Sequence, residues 1–169
     1  MEPVLFSTIE EILPVLDRGV TIDFRHMINL AGLDVVYRGR TRYRIYVRSW
    51  IFEDIDYKPR PTTELEEQKI CIVHEFIHAL NYLRGVRMPR SREAKNKTEE
   101  IINKHAYTFL DNEAFFERLL IEILSRDNCG VIFHKSVWGN GKIECPFYYY
   151  CSNLLQRPEG PNALTSPVQ

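Results

Sequence analysis

Residues 63–84 read as one long helix, and its middle, from Ile70 to Leu83, is apolar on nearly every side. A helix of that kind has no solvent face of its own, so other elements must cover most of its circumference. Its ends are well marked. Thr63 precedes Glu66 by three residues, the spacing of a capping box. Glu64, Glu66 and Glu67 put negative charge in the first turn, where the helix dipole favours it. Gly85 supplies the stop. Inside the apolar run IVHEFIHAL stand His74, Glu75 and His78. Burying them is unfavourable unless something satisfies their polar atoms.

The rest of the chain offers elements to cover such a helix. Residues 7–17 predict a short helix, which Pro14 strains unless it stands in the first turn. Residues 22–31 predict a second helix, stopped by Gly32. Asp34–Tyr37 and Tyr43–Ile51 predict two strands, and Arg38-Gly39-Arg40-Thr41 between them has hairpin chemistry. In the second strand Tyr43, Ile45, Val47 and Ile51 share one face, while Arg44, Tyr46, Arg48 and Trp50 share the other. Pro59 and Pro61 punctuate the loop before the long helix. After it come a basic connector from Arg84 to Lys97, broken by Pro89, and a helix from Asn96 or Thr98 to Leu110. Asp111-Asn112 breaks that helix, and Glu113–Arg126 predicts another. Val131–Trp138 and Lys142–Tyr150 predict a second hairpin, and residues 152–169 a loose tail. The pattern predicts an α+β fold, with helices packed on a small, mainly antiparallel sheet. The length suits one domain over residues 1–151.

Composition excludes several classes. With 44% hydrophobic and 27% charged residues the chain can build a core, which rules out a largely disordered protein. Its net charge of −1 gives no field strong enough to hold nucleic acid or a membrane surface. No apolar run approaches the ~20 residues that cross a bilayer. The N-terminal stretch MEPVLFSTIEEILPVLD has acids where a signal peptide would be apolar, so a cytoplasmic protein is expected. In that compartment Cys71, Cys129, Cys145 and Cys151 are expected as free thiols.

His74 and His78 lie four residues apart on one helix face, so both imidazoles can reach one metal ion. Glu75 leaves the helix about 100° around from them. It is placed to accept a proton from a zinc-bound water rather than to bind the metal. Zinc brings the pKa of such a water to about 7. A catalytic zinc takes three protein ligands and keeps one position open. Glu99, Glu100 and His105 are the candidates for the third ligand. Glu99 lies at the edge of the stripe formed by Ile101, Ile102, Ala106, Phe109 and Leu110, stacked with Asn103. Glu100 points the opposite way, above Lys104, where an i,i+4 ion pair suits it. His105 falls within the stripe, a place for a core histidine. Phase therefore favours Glu99, with Asn103 placed to hold a ligand from behind. Glu100 and His105 stay open as alternatives.

HEFIHAL followed by TEEIINKHAYTFL resembles the zincin metallopeptidases. More narrowly it is similar to the small gluzincin-like group typified by ImmA and IrrE. The resemblance covers roughly residues 33–112, and His74-Glu75-Phe76-Ile77-His78 is its one sharp motif. The longer metzincin pattern is absent, because Asn81 and Arg84 stand where it needs Gly and His. Tyr82 stands where the ImmA and IrrE group often has a histidine, and the chain shows no helix-turn-helix segment. The resemblance implies a minimal zincin-like domain and hydrolysis of peptide bonds in another intracellular protein. It implies one Zn2+ ion held by His74, His78 and Glu99, with Glu75 as general base.

Charge is unevenly spread. Arg38, Arg40, Arg42, Arg44 and Arg48 form one basic stretch. Arg84, Arg87, Arg90, Arg92, Lys95 and Lys97, against Glu93, form another. Both suit an acidic protein or peptide partner; no motif supports nucleic acid. Cys129, His134, Cys145 and Cys151 lack the Cys-x-x-Cys spacing of a second zinc site. Tyr107, or one of Tyr148, Tyr149 and Tyr150, is a candidate to stabilise an oxyanion. The reading favoured is a zinc-dependent metallopeptidase. The alternative is a non-catalytic module with the same fold, in which a fourth protein ligand closes the metal site or no metal binds.

Overall fold

The computed structural model describes residues 2–25, 31–37, 41–48 and 59–133. Within them the chain forms a 3-10 turn at Ile9–Ile12, then α1 (Leu13–Arg18), β1 (Val20–Arg25), β2 (Ala31–Tyr37) and β3 (Thr41–Arg48). There follow α2 (Glu64–Leu83), α3 (Arg92–Tyr107), α4 (Glu113–Leu124) and β4 (Gly130–Phe133). The fold is α+β, with helices on a four-stranded sheet of order β2-β3-β1-β4. The sheet is mixed rather than mainly antiparallel. β2 and β3 form an antiparallel pair, whereas β1 runs parallel to both β3 and β4.

Alternation decides which face of the sheet is covered. Ile22 and Phe24 of β1 pair with Ile45 and Val47 of β3, and all four are buried. Tyr43, opposite Val20 and Val35, completes the same face. Arg42 and Arg44 are exposed on the other face. α2 lies on the apolar face against β2 and β3 and also packs against α3. Val73, Phe76, Ile77 and Leu80 of α2 are fully buried there, in the same core as Ile102 and Ala106 of α3. Burying such side chains stabilises the fold by roughly 1.5–3 kcal/mol each.

The helix ends follow their local chemistry. The Glu66 N–H donates to Thr63 Oγ1 at 3.2 Å, and the Thr63 N–H donates to Glu66 Oε1 at 3.1 Å, a complete capping box. At the other end the Gly85 N–H donates to the Tyr82 carbonyl and the Val86 N–H to the Asn81 carbonyl. That is a Schellman closure, with Gly85 at φ +72°. Pro14 sits in the first turn of α1. Asn112 caps α4 through the Phe115 N–H.

Two expectations need correction. Residues 22–25 belong to a strand, not a helix, and Ala31 and Gly32 belong to β2. Thr21 and Asp23 alternate with Ile22 and Phe24, and β3 and β4 offer partners on both sides. α3 begins at Arg92 rather than at Asn96 or Thr98, because Ser91 caps it through the Ala94 N–H at 3.3 Å. β4 covers the start of the strand expected over Val131–Trp138. The remainder of that hairpin and the tail lie outside the described residues. No helix among the described residues is long and apolar enough to cross a membrane.

Two glycines make the backbone testable. Gly19, between α1 and β1, has φ +107°, and a Cβ there would come within 2.9 Å of the Asn128 carbonyl oxygen. Gly85 also has positive φ, but an added Cβ would meet nothing within 4 Å. Gly85→Ala should therefore cost only the left-handed backbone strain of about 1–2 kcal/mol. Gly19→Ala should cost about 1 kcal/mol more, because backbone must also shift. Urea unfolding of the two variants checks the order; equal losses would mean that the Asn128 contact carries no strain.

Candidate metal centre

α2 and α3 pack side by side and bring the candidate ligands to one point. His74 and His78 project from one face of α2, with ring centroids 4.8 Å apart. Glu99 reaches across from α3. Its Oε2 lies 2.9 Å from His74 Nε2 and 3.3 Å from His78 Nε2. The two Nε2 atoms are 3.0 Å apart. Donors bound 2.0–2.1 Å from one ion at the tetrahedral angle stand about 3.3–3.4 Å from each other. The triangle of 2.9, 3.0 and 3.3 Å is close to that. No fourth His, Cys, Asp or Glu joins the set among the described residues.

The tautomer of His74 sharpens the point. Its Nδ1 lies 2.7 Å from Asn103 Oδ1, and an amide oxygen only accepts. Nδ1 therefore carries the proton, and Nε2 of the neutral ring presents a lone pair to His78 and Glu99. With His78 in the same tautomer, three acceptor atoms about 3 Å apart would repel unless positive charge lay among them. One added proton on His74 relieves part of this contact; a cation among the donors relieves all of it. The residues present therefore fit a metal ion of the kind that nitrogen and oxygen donors prefer.

Electrostatics follow from the same packing. Burial pushes His74 towards its neutral form, but the Glu99 hydrogen bond and the Glu75 and Glu99 charges outweigh it, and its pKa rises. Burial pushes Glu99 up, and His74 and His78 outweigh it, holding the carboxyl well below the usual range. Glu75 is itself buried, and burial raises its pKa against the opposing pull of His74 and His78.

The other residues marked by the sequence fall into place. Glu100 is exposed and pairs with Lys104 at 2.6 Å. His105 hydrogen-bonds to the Phe6 carbonyl and packs edge-on against Phe109, so it serves the core and not the metal set. Tyr107 is buried and donates to Glu67 Oε2 at 2.6 Å, which removes it as an oxyanion partner. Tyr148, Tyr149 and Tyr150 lie outside the described residues. Cys71 is buried, and Cys129 Sγ is held between the Val20 N–H and the Leu16 carbonyl. His134, Cys145 and Cys151 lie outside the described residues.

A cleft of about 980 Å³ opens over the three donors. Leu33 and Val35 of β2 line one side, Tyr82 and Met88 another, and Glu75, Arg87 and Lys95 reach it as well. Sequence reasoning missed this composition, because period-two and period-3.6 patterns mark buried faces and not the rim between elements. It also missed Asn81, whose side chain bonds to both Val4 N and Val4 O at 2.8 Å and ties the N-terminal segment to α2. An asparagine inside an apolar helix was the available signal.

Two outcomes are expected. Removing the Asn103 amide in Asn103→Ala should weaken metal binding by about 10–100-fold, as loss of a ligand's supporting hydrogen bond does, measured by competition with a chelator. A wild-type affinity would show that the bond does not orient His74. The pH dependence has a fixed sign. In metal-free protein the raised His74 stabilises fully below the unfolded histidine value of about 6.5, and that contribution is lost as pH rises through its folded value. The depressed Glu99 stabilises above the unfolded glutamate value of about 4.3 and is lost only as pH falls through its folded value. A metal ion must displace the His74 proton, so the rise in Tm on adding zinc should be larger at pH 8 than at pH 6. Equal rises would place the ion elsewhere. No family model matches the chain, and no curated protein or solved structure matches it either.

Proposed function

We propose that this chain is a zinc-dependent metallopeptidase that hydrolyses peptide bonds of an intracellular protein. The observation that carries the reading is the convergence of His74, His78 and Glu99 on one point, beside Glu75, at an open cleft. The resemblance to the small gluzincin-like domains supports it. Zinc bound by these three residues would supply a Lewis acid for a carbonyl oxygen and lower the pKa of water to about 7.

The chain's own residues supply the rest. Glu75 lines the cleft, and burial raises its proton affinity, which suits a group that must take a proton from the attacking water and return it to the leaving amine. Asn103 holds the His74 ring by Nδ1, so Nε2 is kept as the ligand atom. β2 is one of the two edge strands among the described residues and borders the cleft with Ala31, Leu33 and Val35. An edge strand offers backbone groups to an extended peptide, and its apolar side chains offer side-chain contacts. A closed site would need a fourth protein ligand, and His105, the candidate named for that role, is bound to Phe6 instead.

Metal analysis and a cleavage screen test this reading together. Wild-type protein should carry about one zinc ion, lost in His78→Ala and Glu99→Ala and kept in Glu100→Ala. Glu75→Gln should keep its zinc and lose at least about 10²-fold in cleavage of a proteome-derived peptide library. Loss of zinc in Glu75→Gln would make Glu75 a ligand or a support. A zinc-loaded wild type that cuts nothing the variant leaves intact would favour the non-catalytic module.

A further inference from the structure

The two basic stretches of the sequence part company in the fold. Arg42 and Arg44 are exposed on the sheet face away from α2. Arg87 and Lys95, from the connector and the first turn of α3, line the cleft. Lys95 stands four residues before Glu99, about 6 Å along the helix and on the same side. That spacing normally pairs Lys with Glu, as in Lys104 with Glu100. Here the Glu99 carboxylate is held by His74 and His78, which leaves the Lys95 ammonium without it. Among the described residues neither Lys95 nor Arg87 forms an ion pair. Two cations thus face a cleft in which the Glu99 carboxylate is held by the histidine pair and Glu75 is buried. Leu33, Val35, Val86 and Met88 supply the remaining wall.

We propose that Arg87 and Lys95 form a carboxylate-recognising subsite beside the metal centre, which selects peptides with an acidic group close to the bond to be cut. The inference rests on the peptidase reading for the bond. An extended peptide advances about 3.3 Å per residue, so one helical turn from Glu99 places that group within roughly three residues of it. The carboxylate comes from an Asp or Glu side chain or from the peptide's own C-terminus. Arg suits it by its two-pronged fork and Lys as a point charge. Both cations are exposed, so the selection weakens as salt rises.

Binding tests the subsite apart from catalysis. Zinc-loaded Glu75→Gln protein is titrated with three pools of apolar hexapeptides: amidated with one Glu at a random position, amidated with one Gln there, and the Gln pool with a free C-terminus. Binding of the Glu pool about tenfold tighter than the amidated Gln pool is expected, shrinking between 50 and 300 mM salt. An equal gain in the free-acid pool alone assigns the site to a terminal carboxylate. Either gain should vanish in Arg87→Gln/Lys95→Gln at unchanged zinc content. In Arg87→Glu/Lys95→Glu the preference should turn to a Lys pool. No gain from any carboxylate overturns the proposal, and so does a gain that survives both double variants, since the carboxylate would then sit on the zinc. Wild-type protein on the same pools separates the two readings. Carboxylate discrimination without cleavage leaves the subsite and removes the peptidase; cleavage without discrimination does the reverse.

Discussion

A 20-residue helix that carries Glu67, His74, Glu75, His78 and Asn81 into an apolar interior must find partners for each of them there. A buried polar group left without one costs about 1–3 kcal/mol, against a total stability of about 5–15 kcal/mol for a domain. Two or three such failures would unfold the protein. Three of them find hydrogen-bond partners in α3 and in the segments that flank α2. Glu67 accepts from Thr62 and Tyr107. His74 bonds to Asn103 of α3. Asn81 bonds to Val4 and to the Ile77 carbonyl. These contacts fix the rotation of α2 against α3 and against the N-terminal segment, and that rotation brings Glu99 to the histidines.

What was legible in the sequence was local. The Thr63 and Glu66 box, the Gly85 stop and the His74–His78 spacing depend on residues a turn apart, and all stand as read. Helical phase alone separated Glu99 from Glu100, because one edge of α3 is apolar and the other is not. His105 was placed in the core by the same argument. What failed was non-local. β1 was mistaken for a helix because its strand character lies in pairing with β3 and β4, and β4 is more than a hundred residues distant. The parallel direction of those pairs leaves no turn signal to read, unlike the antiparallel β2 and β3. The tie from Asn81 to Val4 spans 77 positions; an asparagine in an apolar helix signals the need for a partner but not which one. The composition of the cleft was hidden for the same reason, since β2, α2 and α3 each contribute one side of it.

The fold also sorts charge. A net of −1 describes neither face of this molecule. Arginines on β3 alternate with core residues, so the pleat sends Arg42 and Arg44 to the side opposite α2. The connector after Gly85 has no such constraint, and its Schellman closure turns the chain back over the cleft. Basic residues near the metal donors are therefore a consequence of where α2 ends.

Asn103 shows how tightly the centre is balanced. A carboxylate in its place would also accept from His74 Nδ1 and would make the ligand nitrogen more basic. It would also bring a third negative charge to a place that already holds Glu75 and Glu99. With a dication, neutral imidazoles, Glu99 and an ionised Glu75, the charges sum to zero. A neutral amide at position 103 preserves that sum while still fixing the ring. Uncompensated charge in a buried site is strongly unfavourable, and it would be relieved by protonating the most easily neutralised carboxylate. That group is Glu75, whose pKa burial already raises. The substitution Asn103→Asp would therefore orient His74 equally well and hold Glu75 in the form that cannot accept a proton. In the proposed peptidase the amide would let one helix pair both position His74 and leave Glu75 free to ionise.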